Sequence, residues 1–191
     1  MLKKAGTIAR DVATILGEAI LPDCEPEESP FPNMEEQVET LVPGILTEML
    51  EAAPSEKLTG WKSLDRSAFR RETSGIGILP LPSDFLRLGI IRLKGRDFGI
   101  RSVLSESNPG IAKFKSGVAG VNGSCERPEA IFSLSHTGER TIEIYRCEEG
   151  AAMDYGFYLP IPGFDSSGNI SIPDPLYPEL IRKMAEKIER T

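Results

Sequence analysis

Apolar residues near the start of the chain recur at helical spacing. Ala5, Ile8, Ala9, Val12, Ile15, Leu16, Ala19 and Ile20 fall on one stripe and predict an amphipathic helix over 4–21. Thr7 is a candidate cap, and Pro22 closes the helix because proline disfavours helical geometry in the residue before it. A second stripe holds Met34, Val38, Leu41, Val42, Ile45, Leu46, Met49 and Leu50 in phase across Pro43-Gly44. Asn33, with Glu36 three residues on, resembles a capping box. An interior proline removes a hydrogen bond and costs about 3 kcal/mol. The continuous phase therefore predicts one helix, kinked near Val42, in preference to two short ones. At the other end Leu176, Leu180, Ile181, Met184 and Ile188 predict a final helix over 174–190, capped by Asp174 with Pro175 at its first position.

The middle of the chain has a different period. Glu129–Ser135 places Ala130, Phe132 and Leu134 on one face. Arg140–Arg146 places Ile142 and Ile144 on one face and Thr141, Glu143 and Tyr145 on the other. With a turn at His136-Thr137-Gly138-Glu139 between them, these segments predict a β-hairpin over about 129–146. Met153–Leu159 reads as another strand, ended by Pro160-Ile161-Pro162, and Arg87–Lys94 as another after a Pro80-Leu81-Pro82 turn. There Asp84 is expected to cap a short turn through Phe85-Leu86. Ile100, Val103 and Leu104 give only a weak strand signal. Residues 53–74 read as a polar, basic loop pinned to the body by Trp61, Leu64 and Phe69. Helices, then strands, then a helix is an α+β order with a small, mostly antiparallel sheet. At 191 residues it is read as one domain: a helical part at 1–56, a β-rich part at 75–162 and the C-terminal helix.

Charge sharpens this division. The net charge is −7, but Pro22–Glu56 carries ten acidic residues and no lysine or arginine, while Lys57–Arg101 carries ten basic residues against four acidic ones. This reads as two differently solvated faces, or as a polarised subunit whose acidic part meets a neighbour's basic part. A general nucleic-acid binder would need a basic balance instead. Residues 22–33, with four prolines and four acids, form an extended acidic linker.

Candidate chemistry is sparse. Cys24, Cys125 and Cys147 are odd in number and lack metal or disulfide spacing, so they read as free thiols in a reducing setting. Gly117, Gly120 and Gly123 lack the strand, helix and lysine that a phosphate loop requires. Asp165, Ser167 and Asn169 suggest a calcium loop, but Gly168 and Leu176 stand where that loop needs other residues, so the segment reads as a turn. His136 sits at a hairpin tip, away from any acid partner. Arg70 and Arg71 read as solvated loop arginines. No catalytic, cofactor-binding or metal-binding residue is predicted, and no cofactor. The N-terminus lacks a signal-peptide pattern, and no run reaches the roughly 18 apolar residues of a membrane span.

One set of motifs carries more information. Leu81-Pro82-Ser83-Asp84-Phe85-Leu86-Arg87-Leu88 is followed by Glu126-Arg127-Pro128 and Glu143-Ile144-Tyr145. Tyr158-Leu159-Pro160 and Ile170-Ser171-Ile172-Pro173-Asp174-Pro175 come next. In order and spacing over roughly 110 residues these resemble phage and prophage head–tail connectors of the portal-adaptor type. The resemblance implies a non-enzymatic structural protein. Its signature residues here are Pro82, Asp84, Phe85, Leu86, Arg127 and Pro128. It implies a homo-oligomeric ring beneath a portal, with portal and tail proteins as partners, DNA only as passing cargo, no membrane, and a place in the virion or host cytoplasm. The competing expectation is a stand-alone protein-interaction module.

Overall fold

The computed structural model describes residues 1–17, 34–105, 129–134 and 138–190. The chain is α+β, with helices towards both ends and antiparallel sheets between them. It divides into two compact units, Met1–Gly60 with Ile161–Thr191, and Trp61–Pro160.

The first unit is helical. Its helices are α1 (Ala5–Ile15), α2 (Met34–Ala52) and α3 (Tyr177–Ile188), and each packs against the other two. Their buried residues follow the predicted stripes: Ile8 and Val12 on α1, Val42 and Leu46 on α2, Leu180 and Met184 on α3. α2 runs through Pro43 without interruption. Pro43 has no N–H to donate, and its own carbonyl accepts the Thr47 hydroxyl at 2.7 Å in addition to its helical role.

Three end signals differ from expectation. α1 closes at Ile15, where Gly17 takes a left-handed φ of +76° and donates its N–H to the Thr14 carbonyl at 3.3 Å. That is a glycine C-terminal cap, and it precedes Pro22. Thr7 lies inside α1; the capping position is Lys4, whose side chain makes no capping bond. Asp174 does not cap α3 either. A 3-10 turn over Asp174–Leu176 precedes that helix, and Asp174 Oδ1 instead accepts the Met1 ammonium at 2.7 Å. The predicted Asn33 cap, the linker at 22–33 and the start of its acidic run lie outside the described residues.

Sequence periodicity gives no sign of a short ladder in this unit. β1 (Leu2–Lys4) pairs antiparallel with a strand at Asn169–Ser171, Lys3 opposite Ile170. Just before it the predicted turn is present: Asp165 Oδ1 accepts the N–H groups of Ser167 at 2.8 Å and Asn169 at 2.9 Å.

The second unit holds two sheets. The strands in chain order are β2 (Lys62–Ser63), β3 (Arg70–Arg71), β4 (Gly77–Pro80), β5 (Phe85–Leu93), β6 (Ala130–Leu134), β7 (Arg140–Ile144) and β8 (Met153–Pro160), which makes the Asn169–Ser171 strand β9. One sheet has the order β2-β8-β5 and the other β3-β4-β7-β6. β6 and β7 form the predicted hairpin, with Phe132 opposite Ile142. Its faces are less simple than the alternation suggests. Ile131 and Tyr145, on the face opposite Phe132, are buried with Ile76 and Leu104, whereas Leu134 is 61% exposed. The main core gathers Leu79, Phe85, Leu88, Ile91, Ile142 and Ile144. Leu64 is buried within it, Phe69 packs against it, and the Trp61 ring lies against Gly89 of the β-rich unit, so the three expected pins of the 53–74 segment hold. That segment is not wholly loop, since it supplies β2 and β3.

β5 begins at Phe85, two residues before the predicted start, and carries three register shifts against β8. Leu86 and Gly89 are extra residues opposite a shorter β8 segment, because Phe85, Arg87, Leu88 and Ile90 pair with Pro160, Leu159, Tyr158 and Phe157.

Candidate functional site

The signature residues at Pro82–Leu86 occupy the step between β4 and β5. The Pro82 carbonyl accepts the Phe85 N–H at 3.1 Å, which closes a tight turn and fixes where β5 starts. Asp84 does not cap that turn with its side chain. Its carboxylate reaches two distant residues: Lys62 Nζ donates to Oδ2 at 2.7 Å, and Tyr158 Oη donates to Oδ1 at 2.9 Å. β2 and β8 carry these partners and lie beside each other in the sheet, so both reach one carboxylate at the entrance of β5.

The electrostatics follow from that geometry. The Lys62 ammonium, and then the Tyr158 hydroxyl, hold the Asp84 carboxyl below its ordinary value. Burial, and then the bond to Asp84, push the Tyr158 phenol up to about 12. An anion held by an ammonium and a phenol, with its pKa lowered, is a weak general base near neutral pH, and a phenol held neutral is a poor nucleophile.

Phe85 turns inward. Its ring stacks on Tyr158 with centroids 5.7 Å apart and an interplanar angle of 14°. It meets Phe132 edge-on at 5.7 Å and 72°. The aromatic trio joins the N-terminal end of β5 to the middle of β6, one in each sheet. Beside it opens a cavity of about 380 Å³, lined by Phe85, Leu86, Phe132 and Leu134, with Ser105, Ser133 and Arg140. Leu86, the extra residue of the first bulge, thus lines a cavity in place of the regular core.

Arg140 sits at the cavity with its Nη2 donating to the Ser83 carbonyl at 3.1 Å, while its own carbonyl accepts the Leu81 N–H at 2.9 Å. The arginine therefore clamps both sides of the Pro82 turn. The arrangement offers an apolar floor and one cation. It can hold an apolar group and a neighbouring anion.

Of the predicted signature residues, Pro82, Asp84, Phe85 and Leu86 come together; Arg127 and Pro128 lie outside the described residues, as do His136 and the glycines at 117, 120 and 123. The sequence alone did not single out Lys62, Phe132 or Arg140, and it marked Tyr158 only as part of the Tyr158-Leu159-Pro160 motif, without a partner. Lys62 and Tyr158 stand 22 and 74 residues from Asp84, and no local pattern marks either pairing. The hairpin register could have identified Arg140, which lies opposite Leu134. Among the described residues, no group of three histidines, cysteines or carboxylates is placed to hold a metal ion, and no helix is long and apolar enough to cross a membrane.

No protein-family profile matches the chain, and no curated protein sequence matches it.

Proposed function

We propose that this chain is a non-enzymatic, phage-derived structural protein: a head–tail connector subunit of the portal-adaptor type, assembling as a ring beneath a portal. The observation that carries this reading is how the signature is spent. Pro82 closes a turn, Asp84 is bonded to Lys62 and Tyr158, and Phe85 joins two sheets through Tyr158 and Phe132. The most distinctive stretch of the sequence is thus committed to shaping a subunit. The division of charge between Pro22–Glu56 and Lys57–Arg101 suits head-to-tail contacts in a ring. A net charge of −7 suits a conduit from which DNA must slide without sticking. DNA is then passing cargo, portal and tail proteins are the partners, and the subunit works in the virion or host cytoplasm.

The test is assembly. Sedimentation velocity and negative-stain microscopy of the purified protein, alone and mixed with a phage portal protein from the same genome, should show rings or a portal complex. A protein that stays strictly monomeric at high concentration under both conditions overturns the proposal. A second reading, a stand-alone protein-interaction module, draws on the cavity beside β6 with its exposed Leu134. It predicts a monomer or dimer.

A further inference from the structure

We propose that the cavity beside β6 is a docking groove for an extended segment of a protein partner, one that presents a bulky apolar side chain with a carboxylate next to it. β6 is the last strand of its sheet. Part of its outer edge is taken by Leu104, whose N–H donates to the Ala130 carbonyl at 3.0 Å and whose carbonyl accepts the Phe132 N–H at 2.8 Å. The N–H and C=O of one strand residue point to the same side. The Phe132 carbonyl and, two residues on, the Leu134 N–H therefore face outward as well. Among the described residues, no backbone group takes either of them.

Sheet edges in stable proteins are blunted by charge, proline or a bulge. β6 reads Ala-Ile-Phe-Ser-Leu and has none of these. Its exposed end instead carries Leu134 beside an apolar cavity. This matches the way extended peptides are recognised at sheet edges, where main-chain bonds supply affinity and an adjoining pocket supplies specificity. The volume of about 380 Å³ lies at the lower end of ligand pockets, which fits one or two bulky side chains and is small for a large cofactor.

Arg140 sets the polarity of the occupant. Its guanidinium is permanently charged. Among the described residues, its side chain donates one hydrogen bond, to the neutral Ser83 carbonyl, and no carboxylate pairs with it. A carboxylate flanking the buried apolar side chain would complete it. A small anionic amphiphile could satisfy the cavity and the arginine, but it would leave the Phe132 carbonyl and Leu134 N–H unused. The edge therefore favours a peptide. This groove would operate whether or not the chain assembles into rings.

The experiment is to pan a random seven-residue display library against the wild-type protein and against Arg140→Glu, then to titrate the selected peptides into isotopically labelled protein. Wild type should converge on peptides pairing a bulky apolar residue with Asp or Glu, with amide shifts concentrated at Ala130–Leu134 and Arg140. Arg140→Gln should weaken those peptides by about tenfold, Arg140→Glu should reverse the preference towards basic residues, and Leu134→Lys should abolish binding. Both positions are exposed, and an unchanged far-ultraviolet spectrum and melting midpoint separate lost binding from lost fold. No convergent motif, a motif without an acid, or shifts elsewhere would overturn the proposal. So would decanoate binding at these residues where peptides do not, or self-association that Leu134→Lys dissolves while no peptide binds.

Discussion

The helical and β-rich units fill their cores at different spacings. In α2 the buried residues Val38, Val42, Leu46 and Met49 step by the four and three of a regular helix. In β5 the core residues are Phe85, Leu88, Ile91 and Leu93, which step by three, three and two. Opposite them on β8, Pro160, Tyr158 and Gly156 step by two throughout. The bulges at Leu86 and Gly89 account for the difference, each adding one residue to β5 without changing which face returns to the core. Past Ile91 the irregularity changes sides: Leu93 pairs with Met153, so the extra residue is Asp154 on β8. A strand can therefore carry a nearly helical spacing of apolar residues and still be a strand, provided its partner keeps the alternation.

The largest expected effect tests whether the two cores are separate in energy as well as in spacing. Leu46 in α2 and Ile142 in β7 are both fully buried. Truncating either to alanine should cost about 2–5 kcal/mol, from lost transfer energy plus the cavity left behind. Hydrogen exchange then distinguishes the units. Leu46→Ala should first release the amides of α1, α2 and α3, and Ile142→Ala those of β4 to β8. If either substitution loosens all of these amides together, the distinction between the cores does not extend to stability.

A second comparison makes the same substitution in each unit and expects opposite signs. Gly44 lies inside α2 with nothing within 4 Å of a Cβ added there. Gly44→Ala should stabilise by about 0.5–1 kcal/mol, since a mid-helix glycine costs about that much relative to alanine. Gly89 is the bulge residue of β5, where an added Cβ would sit 2.8 Å from the Trp61 ring and 3.1 Å from the Phe157 carbonyl oxygen. Gly89→Ala should destabilise by about 1–3 kcal/mol, the usual cost of overpacking. Trp61 is the only tryptophan, so its fluorescence should shift in Gly89→Ala and stay unchanged in Gly44→Ala. Denaturation midpoints moving in the same direction would show that the bulge has room to relax.

These contrasts explain what could be read in advance. The three helical stripes, the hairpin and the strand ended by Pro160 were legible because each depends on neighbours within a few residues. α1 was expected to run to Pro22 because its apolar phase continues past Gly17, and the cap depends on backbone geometry at one glycine. β1, β2 and β3 are two or three residues long, too few positions to show a period, and β1 and β2 are set by pairing with remote partners. At the candidate site, Asp84, Phe85 and Leu86 were singled out, but the role given to Asp84 was a local one. Its actual partners come from β2 and β8, and only the folded sheet brings them near. The cavity arises from a bulge residue and a hairpin residue facing each other, a juxtaposition that neither segment encodes alone.

The smallest effect probes that polar cluster, where the β-rich unit relies on a bond between remote residues. Asp84 has a lowered pKa, so its contribution is complete above the ordinary carboxylate value of about 3.9 and fades as pH falls through the folded value. Tyr158 has a raised pKa, so its contribution is complete below about 10 and fades as pH rises towards about 12. Tyr158→Phe removes the hydroxyl while keeping the ring that stacks on Phe85. At neutral pH it should cost about 1 kcal/mol, the typical net value of one hydrogen bond. Denaturant titrations of wild type and variant should converge between pH 10 and 12, because only wild type loses stability there through this phenol. Tyr177, whose pKa is raised by burial and by its bond to Asp11, is common to both proteins and cancels in the difference. On the acid side Asp84→Asn should approach wild type as pH drops below about 4. If the difference between wild type and Tyr158→Phe stayed constant from neutral to alkaline pH, the aromatic stack alone would be holding the entrance of β5, and the Asp84 bond would contribute nothing to it.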